Sequence, residues 1–176
     1  MFKSYNNQFC ASVRRVKGFT LIELMITIAI LAIIMTMGVP SMNTLIKNNR
    51  IKSDTHNLVG VFSYARAEAA KLGAEVVVTA NNATGNNEWG GGMTVTSGGT
   101  TLRVLPAAHA SMTFDSDDDR TAIAFKPSGM TKDDAGAGQM TNDEVITICD
   151  DRAGETGRVI TMLVSGIMNV QTTTCL

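Results

Sequence analysis

Glu23 is the one carboxylate in a long apolar run, Phe19 to Val39, within VKGFTLIELMITIAILAIIMTMGVP at residues 16–40. A charge at the centre of a bilayer costs about 2.5–3.5 kcal/mol on insertion scales, so an acid kept there is a functional residue by default and calls for a cationic partner. Asp115, Asp117 and Asp119 have the alternating spacing that opens a calcium loop. Arg120 then occupies the position that needs glycine, and Lys126 the position of the bidentate glutamate, so a solvated acidic turn is expected and no metal. His56 falls on a predicted helix and His109 in a predicted loop, neither with a nucleophile at motif spacing. The glycines at 90–92 lack the Gly-Lys-Ser/Thr of a phosphate loop. The chain therefore reads as a non-enzyme with no catalytic residue and no cofactor.

Two of the three cysteines, Cys149 and Cys175, lie near the C-terminal end, and Cys10 lies in the first segment. If the body of the protein faces an oxidising compartment, Cys149 and Cys175 can pair and close a loop of about 27 residues, worth about 3–4 kcal/mol. Two buried free thiols are the alternative.

The elements that hold these residues begin with a basic leader. Lys3, Arg14, Arg15 and Lys17 precede Gly18 with no acid among them, which leaves 11 basic against 16 acidic residues in the remainder. Positive charge before an apolar stretch holds that side in the cytoplasm. The N-terminus is thus expected inside, and residues beyond about 43 outside. The apolar run exceeds the 7–15 residues of a secretory signal core, and Gly38-Val39-Pro40-Ser41 is not an Ala-x-Ala cut site. Proline removes a helical hydrogen bond, so a kink or a locally melted turn is expected at Gly38 and Pro40. A body with net negative charge has no general attraction for phosphate backbones. Binding to DNA would need a local patch such as Lys126, Lys132, Arg152 and Arg158.

Beyond the membrane the helix continues. Ile51, Thr55, Leu58, Phe62, Ala65, Ala69 and Leu72 recur at spacings of four and three and form one stripe, with Gly73 as the C-terminal cap. From Ala74 the pattern shifts to β-branched runs. Strands are expected at 75–79, 93–96, 101–105, 111–114, 122–125, 145–149, 158–164 and 167–171, with a hairpin loop at Ser97-Gly98-Gly99-Thr100. The Asn- and Gly-rich segments around Trp89 predict a mobile loop. One long helix followed by clustered strands is an α+β chain with an antiparallel sheet. Its segments are a leader at 1–18, a membrane half-helix at 19–43, an amphipathic half-helix at 44–73 and a β-rich head at 74–176.

Lys17-Gly18-Phe19-Thr20-Leu21-Ile22-Glu23 resembles the N-terminal signal of type IV pilins and type II secretion pseudopilins. The resemblance implies that a prepilin peptidase cuts between Gly18 and Phe19 and methylates the new Phe19 amine. It also implies that Glu23 meets the Phe19 amine of a neighbouring subunit, so that its burial penalty is relieved only in the correct stagger. Tyr64-Ala65-Arg66-Ala67-Glu68-Ala69 is similar to the helix signature of the GspH/FimT branch. So are Phe125-Lys126-Pro127-Ser128-Gly129, Ile148-Cys149-Asp150-Asp151-Arg152 and Gly157-Arg158-Val159-Ile160. The expectation is a FimT/FimU-type minor pilin: inner membrane, head in the periplasm, assembled with other pilins into a fibre near its tip or initiation complex. A DNA-binding competence pilin and a secretion pseudopilin are the alternatives. Some FimT-type members bind DNA through a C-terminal Gly-Arg-x-Arg; the matching Gly166-Ile167-Met168-Asn169 has neutral side chains at both arginine positions, which weighs against DNA.

Overall fold

The computed structural model describes residues 18–133 and 140–176; the rest of the leader, with Cys10 and Lys17, lies outside them. The chain divides into two compact units, Met1–Met42 and Asn43–Leu176, and one helix, α1 (Leu21–Leu72), enters both.

In the first unit, Thr20 caps the helix: its Oγ1 accepts from the Glu23 N–H at 3.2 Å and its carbonyl from the Leu24 N–H at 3.2 Å. Within the apolar run the hydroxyls of Thr27 and Thr36 donate back to the carbonyls of Leu24 and Ile33, each at 2.8 Å. Their polar atoms are satisfied inside the helix, as a lipid surrounding requires. The run is long and apolar enough to cross a membrane. Helical structure continues through Gly38 and Pro40, so the turn there is not melted.

In the second unit the stripe faces inward. Ile51, Thr55, Leu58, Phe62, Ala65 and Ala69 are buried, joined by Val61. Leu72 is 47% exposed: it is the last helical residue, followed by Gly73 with φ +62°, which turns the chain away.

Among the described residues nine strands follow: β1 (Val76–Ala80), β2 (Met93–Ser97), β3 (Thr100–Leu105), β4 (Met112–Ser116), β5 (Ala122–Phe125), β6 (Thr131–Asp133), β7 (Glu144–Asp150), β8 (Thr156–Met162) and β9 (Met168–Thr174). They form two sheets, where the strand pattern suggested one. The first runs β3-β2-β1-β5-β6 and the second β4-β7-β8-β9, with every pairing antiparallel. β6 is the strand that the sequence pattern does not anticipate. It has three residues, two of them charged, and no alternation to reveal it. A single buried cluster draws on the helix and on both sheets, with Phe62 edge-on to Trp89 at 5.4 Å and 6.3 Å from Phe125.

The expected mobile loop around Trp89 is instead pinned. Trp89 is 1% exposed and its backbone N–H donates to the Phe114 carbonyl at 3.3 Å. The backbone of Gly91 lies so close to Asn81 that an added Cβ would sit 1.9 Å from the Asn81 carbonyl oxygen. The glycines here permit close packing rather than motion.

Candidate functional site

Gly18 and Phe19 precede the first turn of α1, and both are exposed. Glu23 lies in that first turn, where a negative charge is favoured by the helix dipole. It is the only ionisable side chain from Gly18 to Ile46. The segment thus offers a solvent-accessible peptide bond beside an uninterrupted apolar helix that carries one acid.

The head positions a second group of residues, and these are architectural. Arg66 leaves α1 to donate through Nε to the Gly129 carbonyl at 3.1 Å and through Nη2 to the Ser165 carbonyl at 3.3 Å. One guanidinium therefore clasps two turns, β5–β6 and β8–β9. Gly129 (φ +82°) and Gly166 (φ +76°) have left-handed backbones, and a Cβ on Gly166 would lie 2.4 Å from the Gly129 carbonyl. Tyr64, two residues before Arg66, lies under the guanidinium of Arg103 in β3, 5.5 Å from its ring centre. The Tyr64–Arg66 motif and the Phe125–Gly129 motif, distant in sequence, are thus two halves of one joint.

Cys149 and Cys175 form a disulfide, with Cα atoms 5.7 Å apart. It reaches from β7 across β8 to the residue after β9. Gly157 lies beneath it in β8: an added Cβ would be 2.6 Å from Cys175 Sγ and 2.9 Å from Cys149 Sγ. At the same end, Arg152 Nε donates to Asp150 Oδ1 at 3.2 Å and Oδ2 at 2.9 Å, while its Nη2 donates to Asp150 Oδ2 at 2.6 Å and to Asn48 Oδ1 of α1 at 2.7 Å.

Sequence reasoning missed a buried polar network. Glu144 in β7 is fully buried; it accepts from Ser116 Oγ at 2.5 Å and faces Arg120 Nε at 2.9 Å. Arg120 also meets Asp118 at 2.9 Å and Asp133 of β6 at 3.3 Å. Residues 116–120 therefore bridge the two sheets, and Arg120, which broke the calcium pattern, is the hub of the acidic turn. Burial pushes the Glu144 carboxyl up to about 7, against the opposing pull of Ser116 and Arg120. The acid at the start of an apolar strand, Glu144 before Val145, was the available signal. Among the described residues no group of histidines, cysteines and acids is arranged to hold a metal ion.

The four basic residues considered for DNA do not share one setting. Lys132 is on β6 of the first sheet and donates to Glu75 at 3.1 and 3.2 Å, whereas Arg158 is on β8 of the second sheet. Arg152 is engaged by Asp150, and Lys126 lies in the turn that Gly129 closes. Two of the four charges are thus already met by carboxylates.

A long N-terminal helix, an N-terminal signal with one intrahelical acid and an antiparallel β head define the pilin and pseudopilin class. The sequence profile described as Type II transport protein GspH matches residues 54–166, and that described as Prokaryotic N-terminal methylation motif matches residues 13–39. The chain belongs to the Type II transport protein GspH family. It is a minor pilin or pseudopilin, of a type IV pilus or a type II secretion system. Its fold is similar to that of the Pseudomonas aeruginosa (strain PAO1) type IV minor pilin FimU in two crystal forms. In space group P21 the identity is 19% and the TM-score 0.59, covering 71% of this chain and 90% of the other. In space group P65 the values are 18% and 0.53, covering 68% and 91%. Among curated proteins no sequence matches the chain.

Proposed function

We propose that the protein is a minor pilin of a type IV pilus that enters the fibre after cleavage between Gly18 and Phe19. The observation that carries this reading is the lone acid of the apolar helix, Glu23, four residues beyond a Gly-Phe bond that stands exposed before the first helical turn. Cutting there creates an amine on Phe19, and a neighbouring subunit's Glu23 is the group it pairs with. Neither charge is relieved in an isolated helix in lipid, so the pair sets the stagger of subunits. The head then lies on the periplasmic side, which suits the Cys149–Cys175 disulfide. Likeness in fold to a type IV minor pilin over 90% of its crystallised chain favours the pilus over the secretion machine.

Removing the gene tests the choice of machine. Loss of surface pili with protein secretion intact is expected; loss of secretion with pili intact would assign it to the secretion system. Glu23→Ala tests the registration. The variant is expected to insert into the membrane normally but to appear in sheared fibres at roughly a tenth or less of the normal level, the effect of about 1.4 kcal/mol or more. Normal incorporation would remove Glu23 from the mechanism.

A further inference from the structure

Among the described residues, the buried side-chain atoms without a hydrogen-bond partner fall into two groups. Those of Arg120, Glu144 and Arg152 lie within ion pairs. Asp54 Oδ2 and Trp89 Nε1 remain unmet by the protein. A buried polar atom left so forfeits its bond to solvent and gains none in exchange, and two of them in one place call for a cause.

The two residues line one cavity of about 90 Å³. It lies between α1, which contributes Asp54 and Asn57, and residues 105–108, the end of β3 and the start of its connection to β4. Trp89 and Phe114 are buried and form the floor, whereas Asn57, Pro106 and Ala107 are exposed and mark the mouth. The walls are fixed. The Ala108 N–H donates to the Gly90 carbonyl at 2.9 Å. A Cβ on Gly92 would lie 2.6 Å from the Leu105 carbonyl oxygen and 2.8 Å from the Ala107 nitrogen, so the backbones already touch there. Trp89 is held edge-on to Phe62, with its ring centre 5.4 Å away.

We propose that this cavity is a water-binding site, in which water held between the Trp89 indole N–H and Asp54 Oδ2 links α1 to the segment before β2. An indole N–H only donates and an ionised carboxylate only accepts. A cation would face the indole donor, an anion would face the carboxylate, and an apolar guest would leave both atoms unmet. A neutral molecule that accepts one bond and donates another satisfies both. The volume selects water: it is far below the roughly 300–1,000 Å³ of ligand clefts, and at about 30 Å³ a molecule it has room for about three waters. Buried waters make about three hydrogen bonds each, and Asn57 at the mouth and the neighbouring waters supply the remainder. Burial holds the Asp54 carboxyl above its ordinary value, against the pull of Arg50 and His109, as befits an oxygen short of donors within the protein. Asp54 is thus a positioning residue that acts on Trp89 through the water. The site lies within the head and stands whether or not the chain enters a fibre.

The chain has one tryptophan, so a single indole N–H signal reports on the site. In nuclear magnetic resonance spectra of the isotope-labelled full chain in detergent micelles, that proton is expected to show cross-peaks to water. Their sign is expected to be opposite in laboratory-frame and rotating-frame Overhauser spectra, which marks a held water and separates it from proton exchange. Asp54→Asn keeps an acceptor oxygen and is expected to keep the cross-peaks. Asp54→Leu is expected to lose them while the spectrum of the folded head is retained. Absence of the cross-peaks in the natural protein would overturn the proposal whatever the variants do. A strongly downfield indole proton without them would mean that Trp89 bonds Asp54 directly, and would overturn it too. Undiminished cross-peaks in Asp54→Leu would overturn the link to α1.

Discussion

Glu144 shows what one buried residue does to the energetics of the head. It is shielded completely, faces Arg120 and Ser116, and holds its proton up to about pH 7. Its unfolded-state value is near 4.5, so between those limits the folded state binds more protons than the unfolded one. Stability from this group is therefore present below about pH 4.5, falls as pH rises to about 7, and then stays level. The total change is at most about 3.5 kcal/mol, because each tenfold difference in proton affinity is worth about 1.4 kcal/mol. Glu144→Gln cannot titrate. The stability difference between the natural protein and this variant, measured by denaturant unfolding from pH 4.5 to 8, is expected to shift against the natural protein as pH rises. A difference that is flat or of opposite slope would contradict the assignment. Little of this network was legible in the sequence. Ser116, Arg120, Asp133 and Glu144 meet only because two sheets fold together, and no local period encodes that. Glu23 was legible because its context is local: one acid in an apolar run needs no tertiary structure to stand out.

At the scale of elements, the legible parts are those with a strong period. The stripe of α1 from Ile51 to Ala69 is buried as its spacing requires, and the β-branched runs are strands within three residues of their expected ends. The same period placed Leu72 inside, but a stripe does not say where its helix outruns the sheets. Composition misled at Trp89, where asparagines and glycines that resemble a loose loop instead let the backbone close on the core. These two residues give opposite expectations. Trp89→Ala should destabilise the head by about 3–5 kcal/mol through the cavity left against Phe62. Leu72→Ala should change stability by less than about 1 kcal/mol. Denaturation midpoints of the two variants check this, and equal losses would contradict the packing described. Arg66 belongs to this scale as well. Its clasp on the Gly129 and Ser165 carbonyls joins motif residues that lie far apart in sequence.

Over the whole molecule, an apolar helix that carries one acid is continuous in sequence with a head held together by its turns, a disulfide and buried ion pairs. In the function proposed above, cleavage creates the amine that the acid lacks, and assembly brings the two together. Three features of the chain bear on this: the Gly18–Phe19 bond, Glu23 and the apolar helix between residue 21 and Met42. The measurement that tests the account most directly is mass spectrometry of the N-terminal peptide of the protein recovered from sheared fibres. A peptide that begins at Phe19 with a methylated amine is expected. A peptide that retains residues 1–18, or an unmodified chain found only in the membrane and never in fibres, would contradict it.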